Sequence, residues 1–285
     1  WSWEGEVASE GSQFDSYSLL DSFGREQHIQ LMELCHKYGV EFMSTPFDAE
    51  AADMLVDIGM KGFKIASCDL NNLPFLSHIA AKGLPILLST GAGTLEDIRR
   101  AVDTIEAQGN SQIGILHCTL CYPTEPADSN LSAIHDIRAH FPDYVLGLSD
   151  HTLGTTVPAA SVLFGAKVIE KHYTFDKTLP FSADHWLSLS EPEFTKMVEE
   201  VRTLEAAIGH GRKEVLECET PAHSFARRSV VSVAEIPADT EITADMLAIK
   251  RPGTGLPPEF FDRIVGTRSI RPIAADSLLT MEDFR

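Results

Sequence analysis

Short apolar runs alternate with segments of helical periodicity along most of the chain. Six apolar runs predict strands, at residues 40–44, 62–66, 85–89, 113–117, 145–148 and 167–170. Each run precedes a predicted amphipathic helix, at residues 49–58, 73–81, 95–107, 131–140, 155–164 and 191–208. Strands that are apolar on both faces and alternate with helices predict a parallel sheet that is covered on both sides.

Two α/β architectures, a doubly wound open sheet and a TIM-type barrel, are compatible with six such units and the extra helix predicted at residues 26–38. The doubly wound sheet is disfavoured, because no glycine-rich dinucleotide loop follows the first strand. Polar residues instead follow nearly every strand, which favours a TIM (β/α)8-type barrel with its chemistry at the carboxyl ends of the strands. Because the chain opens on Trp1 and has six units rather than eight, we expect a barrel that lacks its first two strands, in a fragment or an incomplete gene sequence.

The pattern changes beyond residue 211. Residues 213–223 are largely polar and predict a linker, and residues 224–285 predict a small β-rich domain. In that domain we expect strands at residues 228–234 and 247–250 and a further strand pair within residues 264–273. The predicted organisation is therefore a partial barrel at 1–212, a linker and a small second domain.

Charge and cysteine content narrow the classes of function. The formal net charge of −19 argues against nucleic-acid and anionic-membrane partners. No apolar run approaches the roughly 18 residues that span a bilayer, and no signal peptide is visible. The five cysteines are scattered and odd in number, which favours a reducing, cytoplasmic location. Cys118 and Cys121 have the C-x-x-C spacing, but without a second pair we interpret them as structural or incidental.

Histidines follow two successive predicted strands, His151 after the fifth and His172 after the sixth. The ends of neighbouring parallel strands meet at one edge of a sheet, so the two side chains could bind a single divalent cation. The alternative is a pair of core histidines. His117, on the preceding strand, is interpreted as a packing residue or one that supports the pair.

Other strand ends carry groups that suit an anion. Lys64 lies between apolar neighbours in its strand, where a buried ammonium group needs a charged partner. Ser67, Ser89 and Ser149 supply hydroxyl donors that suit phosphate. For each serine taken alone, capping of the following helix explains its position equally well.

These residues lie within a set of motifs by which the chain resembles the sialic acid synthases, a family that includes N-acetylneuraminate, legionaminate and pseudaminate synthases. The motifs are Ser44-Thr-Pro-Phe-Asp48, Phe63-Lys-Ile-Ala-Ser67, Asp69-Leu-Asn-Asn-Leu-Pro74, Leu88-Ser-Thr-Gly91, Leu116-His-Cys118, Tyr122-Pro-Thr124, Gly147-Leu-Ser-Asp-His-Thr152, Ile169-Glu-Lys-His172 and Asp184-His185. The C-terminal part resembles the antifreeze-like (SAF) domain through Ala226-Arg-Arg-Ser229, Ile236-Pro237 and Lys250-Arg-Pro-Gly-Thr-Gly255. The resemblance extends from about residue 26 to the end.

The resemblance implies a TIM barrel and a C-terminal domain that is swapped between the subunits of a homodimer. It implies condensation of phosphoenolpyruvate with an N-acetylmannosamine-type amino sugar, with release of phosphate. A divalent metal, Mn²⁺ or Mg²⁺, would be held by His151 and His172 and would polarise the sugar aldehyde. The residues implied to bind phosphoenolpyruvate are Thr45, Lys64, Ser67, Ser89 and Ser149. Those implied to face the sugar are Asp69, Tyr122, Asp184 and, from the partner's small domain, Arg251.

Members of the family also begin with two motifs that this sequence does not contain, a Glu-Ile-Gly-x-Asn-His type and a Lys-Phe-Gln type. They supply a glutamate and a phosphate-binding lysine. A second hypothesis is therefore an inactive sugar- or phosphate-binding remnant of such a synthase. A third, another phosphoenolpyruvate-dependent barrel, is disfavoured by the SAF-like segment.

Overall fold

The computed structural model describes residues 23–179 and 184–285. The chain forms two compact units, Trp1–Gly209 and His210–Arg285.

The first unit contains a five-stranded parallel sheet. Its strands are β1 (Phe63–Ile65), β2 (Ile86–Ser89), β3 (Ile113–Cys118), β4 (Val145–Asp150) and β5 (Val168–Lys171). Its helices are α1 (Arg25–Lys37), α2 (Ala49–Asp57), α3 (Leu73–Ala80), α4 (Leu95–Glu106), α5 (Ala133–His140), α6 (Thr156–Ala160) and α7 (Glu191–Ile208). The spatial order of the strands follows the chain, without the reversal that marks a doubly wound sheet.

The sheet curls into a half-barrel. Lys64 on β1 and Glu170 on β5 belong to the two outer strands, yet their charged groups lie 3.4 Å apart. Neighbouring strands are spaced about 4.8 Å apart, so in a flat sheet these side chains would be too far apart to meet. The curl confirms the predicted TIM-type barrel, and it brings the strand ends towards a common centre.

Apolar side chains fill the space between the sheet and its helices. All residues of β1 and β3 are buried, as the near-continuous apolar runs predict. Ile79 of α3 and Ile105 of α4 are fully buried against them. Burial on both faces accounts for the parallel arrangement, since the strands have no face for water.

Gly147 on β4 permits a close approach of the neighbouring strand β5. A Cβ atom there would overlap the backbone carbonyl of Val168 and would lie 2.5 Å from Leu116 Cδ2. We expect Gly147→Ala to lower the free energy of unfolding by about 2 kcal/mol or more, because a paired backbone cannot move aside. Denaturant titration measures this change.

Gly114→Ala on β3 is the matched control, since its new Cβ would meet the mobile end of Leu87, 2.6 Å away. Its expected loss is below about 1 kcal/mol. Equal losses for the two variants would contradict this account of Gly147.

Two elements predicted from the sequence differ in the structure. The predicted strand at 40–44 is wrong as a regular strand, since only Ser44 pairs, in one parallel bridge to Phe63. The predicted helix at 155–164 divides into α6 and a 3-10 turn, Ser161–Phe164. Ser161 donates its hydroxyl to the Pro158 carbonyl at 2.6 Å, which competes with regular helical hydrogen bonding.

The second unit contains a two-stranded antiparallel sheet of β6 (Ser229–Ser232) and β7 (Leu247–Lys250). Helices α8 (Thr220–Phe225) and α9 (Phe261–Ile264) belong to it, and α8 lies largely within the predicted linker. The strand pair predicted within 264–273 is wrong, because this stretch makes only isolated bridges, such as that between Ile236 and Ile273. Neither unit, over its described residues, contains a helix long and apolar enough to cross a membrane.

Candidate functional site

Strand register brings the two histidines together. Asp150 on β4 pairs directly with Lys171 on β5, and His151 and His172 are the next residues on each chain segment. Their ring centroids lie 5.3 Å apart. The predicted meeting of these two side chains at one edge of the sheet is thus present in the structure.

Both imidazoles have an oxygen near Nδ1. His151 Nδ1 donates to the Thr119 carbonyl at 3.0 Å, and His172 Nδ1 lies 3.6 Å from Asp184 Oδ2. Burial lowers the pKa of His151, and burial likewise lowers the pKa of His172. Neutral imidazoles that use Nδ1 in this way leave Nε2 as the nitrogen suited to a metal ion.

Tyr122 lies against both rings. Its ring centroid is 3.9 Å from that of His151, with the planes tilted by 33°, and 5.7 Å from that of His172, edge to face. Tyr122 therefore forms one wall beside the histidine pair.

Lys64 and Glu170 meet on the inner side of the curled sheet. The Lys64 ammonium donates to the Ile65 carbonyl at 2.8 Å and lies 3.4 Å from Glu170 Oε2. This carboxylate is the charged partner that a buried lysine requires. Glu170 Oε2 is itself buried and, among the described groups, has no hydrogen-bond partner. Lysine carries three donors, so donor capacity remains for an anion.

Three serines lie at or after strand ends: Ser67 just after β1, Ser89 at the end of β2 and Ser149 on β4. Ser67 and Ser149 hydrogen-bond to Cys118, and Ser67 Oγ also accepts from the Gly91 amide at 2.9 Å. The Ser89 hydroxyl is buried without a hydrogen-bond partner in the described part of the chain. Cys118 Sγ is 3.9 Å from His151 Nδ1, so the serines and the histidines form one continuous site.

Cys118 itself is a buried, neutral side chain. Burial raises the pKa of its thiol, against the opposing effect of the two serine hydroxyls. Cys121 is exposed. Within 23–179 and 184–285, no group of three or more His, Cys, Asp or Glu residues could hold a metal ion.

Three further residues that were predicted to bind substrate, Thr45, Asp69 and Arg251, lie in different parts of the structure. Thr45 follows the bridge between Ser44 and Phe63 and is half-buried at the level of Lys64. Asp69 is buried, accepts from Asn72 at 2.9 Å and lies beside a cleft of about 210 Å³ between the loops after β1 and β2. Arg251 is exposed in the second unit.

Three charged residues at the site were not singled out from the sequence: Asp150, Glu170 and Lys171. Asp150 and Lys171 form a buried ion pair at 2.6 Å between the two histidine segments. The sequence does contain a signal for this ion pair, because Asp150 immediately precedes His151 and Lys171 immediately precedes His172. His117, predicted as a packing residue or one that supports the pair, is buried and donates from Nε2 to the Ser129 carbonyl at 2.9 Å.

Comparison with known proteins places these motifs in a family. The NeuB family model matches residues 2–213, and the SAF domain model matches residues 227–285. The chain is 38% identical over 275 residues to N,N'-diacetyllegionaminic acid synthase of Legionella pneumophila, covering 95% of this chain and 76% of that protein.

Solved structures of similar proteins support the same family assignment. The spore coat polysaccharide biosynthesis protein SpsE of Bacillus subtilis matches with a TM-score of 0.64 and 35% identity, covering 99% of this chain and 83% of that one. N-acetylneuraminic acid synthetase of Leptospira borgpetersenii matches with a TM-score of 0.69 and 34% identity, covering 74% of each chain. The chain therefore belongs to the NeuB family and carries a C-terminal SAF domain.

Proposed function

We propose that this chain condenses phosphoenolpyruvate with an N-acetylmannosamine-type sugar to form a nonulosonic acid and phosphate. Relatives named as legionaminic, pseudaminic and N-acetylneuraminate-9-phosphate synthases support a reaction of this class. The observation that carries the proposal is the meeting of the His151 and His172 rings with a buried lysine and three serines at one end of the half-barrel.

Phosphoenolpyruvate is proposed to bind at the Lys64 end of the site. The Lys64 ammonium supplies positive charge within a strongly acidic chain. Ser67, Ser89 and Ser149 supply hydroxyl donors, and Thr45 lies level with the lysine. Ser89, whose hydroxyl lacks a described partner, has its full hydrogen-bonding capacity for the substrate.

The histidine pair fits a divalent cation, Mn²⁺ or Mg²⁺. Both Nδ1 atoms lie near oxygens, His151 is buried and His172 half-buried, and their ring centroids are 5.3 Å apart. When bound, the cation would act as a Lewis acid that polarises the carbonyl of the sugar. His151 and His172 would hold it, with water or substrate as the other ligands.

The reaction forms one carbon–carbon bond. C3 of phosphoenolpyruvate attacks the aldehyde carbon of the sugar, and the former aldehyde oxygen takes up a proton. Water then adds to the oxocarbenium at C2. Cleavage of the bond between C2 and the phosphate oxygen releases phosphate and leaves a keto group. Lys64 and the serines stabilise the negative charge of the phosphate as it leaves.

Asp69, Tyr122 and Asp184 are proposed to contact the hydroxyls of the sugar. Tyr122 and Asp184 both adjoin the histidine pair, where the aldehyde has to be placed. The role of Arg251 and the homodimer with a swapped C-terminal domain stay predictions from the resemblance.

Release of phosphate tests this proposal. The protein is incubated with phosphoenolpyruvate, Mn²⁺ and each of a panel of 2-acetamido hexoses. We expect phosphate to appear only when a suitable sugar is present. Absence of turnover with every sugar would contradict the proposal and would favour the inactive, ligand-binding alternative.

A further inference from the structure

We infer that the buried ion pair between Asp150 and Lys171 is a positioning device that sets the separation of His151 and His172, and with it the affinity of the site for a divalent cation. The inference rests on the proposed function in one respect, namely that the histidine pair binds a metal ion.

The pair lies at the last point where the two strands are joined by backbone pairing. The register between β4 and β5 ends at Asp150 and Lys171, so the ladder does not extend to either histidine. At this last pair, the 2.6 Å contact between Lys171 Nζ and Asp150 Oδ2 adds a side-chain link between the two segments. Farther on, each histidine is hydrogen-bonded to a different segment, His151 through the Thr124 amide and His172 through the Leu189 amide. The ion pair is thus the link that joins the two histidine segments directly to each other.

Lys171 holds both sides of His151. Its ammonium donates to the Asp150 carboxylate, on the residue before the histidine, and to the backbone carbonyl of Thr152, on the residue after it. The Thr152 hydroxyl and amide donate in turn to Asp150. One side chain of β5 thus fixes a three-residue segment of the neighbouring strand end.

Burial restricts the movement of the Asp150–Lys171 ion pair. The side chains of Lys171 and Asp150 are 0% and 2% exposed, so water cannot replace either partner. An unpaired charge at such a position is costly, which keeps the two groups in contact. A flexible surface ion pair would not hold two rings at a fixed distance.

Lys171→Met separates positioning from electrostatics. Removing the ammonium leaves an unpaired carboxylate close to the cation, so an electrostatic effect alone would raise the affinity for Mn²⁺. Loss of positioning would lower it. We expect a decrease of about tenfold or more, as for other residues that orient metal ligands. Affinity is measured from free Mn²⁺ by electron paramagnetic resonance.

The double variant Asp150→Asn/Lys171→Met separates positioning from general stability. It removes both charges and leaves no buried ion unpaired, so thermal stability is expected to recover relative to Lys171→Met. Because the ionic link is still missing, the Mn²⁺ affinity is expected to remain low. Ile79→Val, in the core at α3, is a control that reduces stability away from the strand ends.

The outcomes separate this inference from the proposed function. Failure of the wild-type chain to bind Mn²⁺ would remove the metal site itself, and the positioning role with it. Binding by the wild type, with unchanged or tighter binding by Lys171→Met, would overturn the positioning role and leave the metal site intact. Recovery of affinity together with stability in the double variant would also overturn it.

Discussion

Replacing His172 with glutamine is expected to lower kcat/KM for the condensation by about 10³-fold. The proposed cation contributes several kcal/mol of transition-state stabilisation, and each 1.36 kcal/mol corresponds to a factor of about ten. With His151 as the only remaining protein ligand among the described residues, the cation would be held too weakly to contribute. His151→Gln is expected to have an effect of the same size. Phosphate release at saturating phosphoenolpyruvate, with the sugar varied and Mn²⁺ held at the concentration that just saturates the wild type, measures both.

His117→Gln is the matched control for these variants. His117 is also buried at a carboxyl strand end, but it uses Nε2 to donate to Ser129, and a glutamine amide can replace that donor. We expect activity close to that of the wild type. If His172→Gln and His117→Gln lost activity equally, the loss would reflect packing rather than ligation.

Replacing Lys64 with methionine is expected to lower kcat/KM for phosphoenolpyruvate by about 10²-fold, mainly through a higher KM. A hydrogen bond to a charged group contributes about 1.5–3 kcal/mol, and Lys64 acts electrostatically on Cys118, to which Ser67 and Ser149 hydrogen-bond. The Glu170 side chain is 40% exposed although its Oε2 atom is buried, so removing the lysine is expected to cost some stability without unfolding the chain. Steady-state kinetics and circular dichroism measure the two effects.

Lys61→Met provides the corresponding control. Lys61 lies just before β1, at the opposite end of that strand, and is exposed. The Lys61→Met substitution removes one positive charge from the same segment without affecting the site, so the KM for phosphoenolpyruvate is expected to change little. An equal rise in KM for both variants would show that overall charge, rather than a local contact, controls substrate binding.

The elements predicted most accurately from the sequence are those whose signals are local. The helix predicted at 95–107 is observed as α4, Leu95–Glu106, because its apolar positions recur at helical spacing and Thr94 forms a capping box with Asp97. The strands β1 to β5 were all predicted. Their apolar runs are buried on both faces, which leaves a continuous pattern in the sequence.

Contacts between distant segments were harder to predict. The run at 40–44 has the composition of a strand, but strand formation depends on pairing, and only Ser44 pairs. Glu170 was missed because its partner, Lys64, lies on the opposite outer strand and meets it only when the sheet curls. The histidine pair was predictable because both residues occupy equivalent positions on successive strands.

Carbon–carbon bond formation is the central claim, and uniformly ¹³C-labelled phosphoenolpyruvate tests it most directly. The protein is incubated with this substrate, Mn²⁺ and each unlabelled sugar of the same panel of 2-acetamido hexoses, and the products are analysed by ¹³C NMR and mass spectrometry. The account predicts an acid with a nine-carbon backbone and three adjacent labelled carbons, the last of them bonded to the former aldehyde carbon of the sugar. Recovery of the label only in pyruvate, or only in unreacted phosphoenolpyruvate, would contradict it.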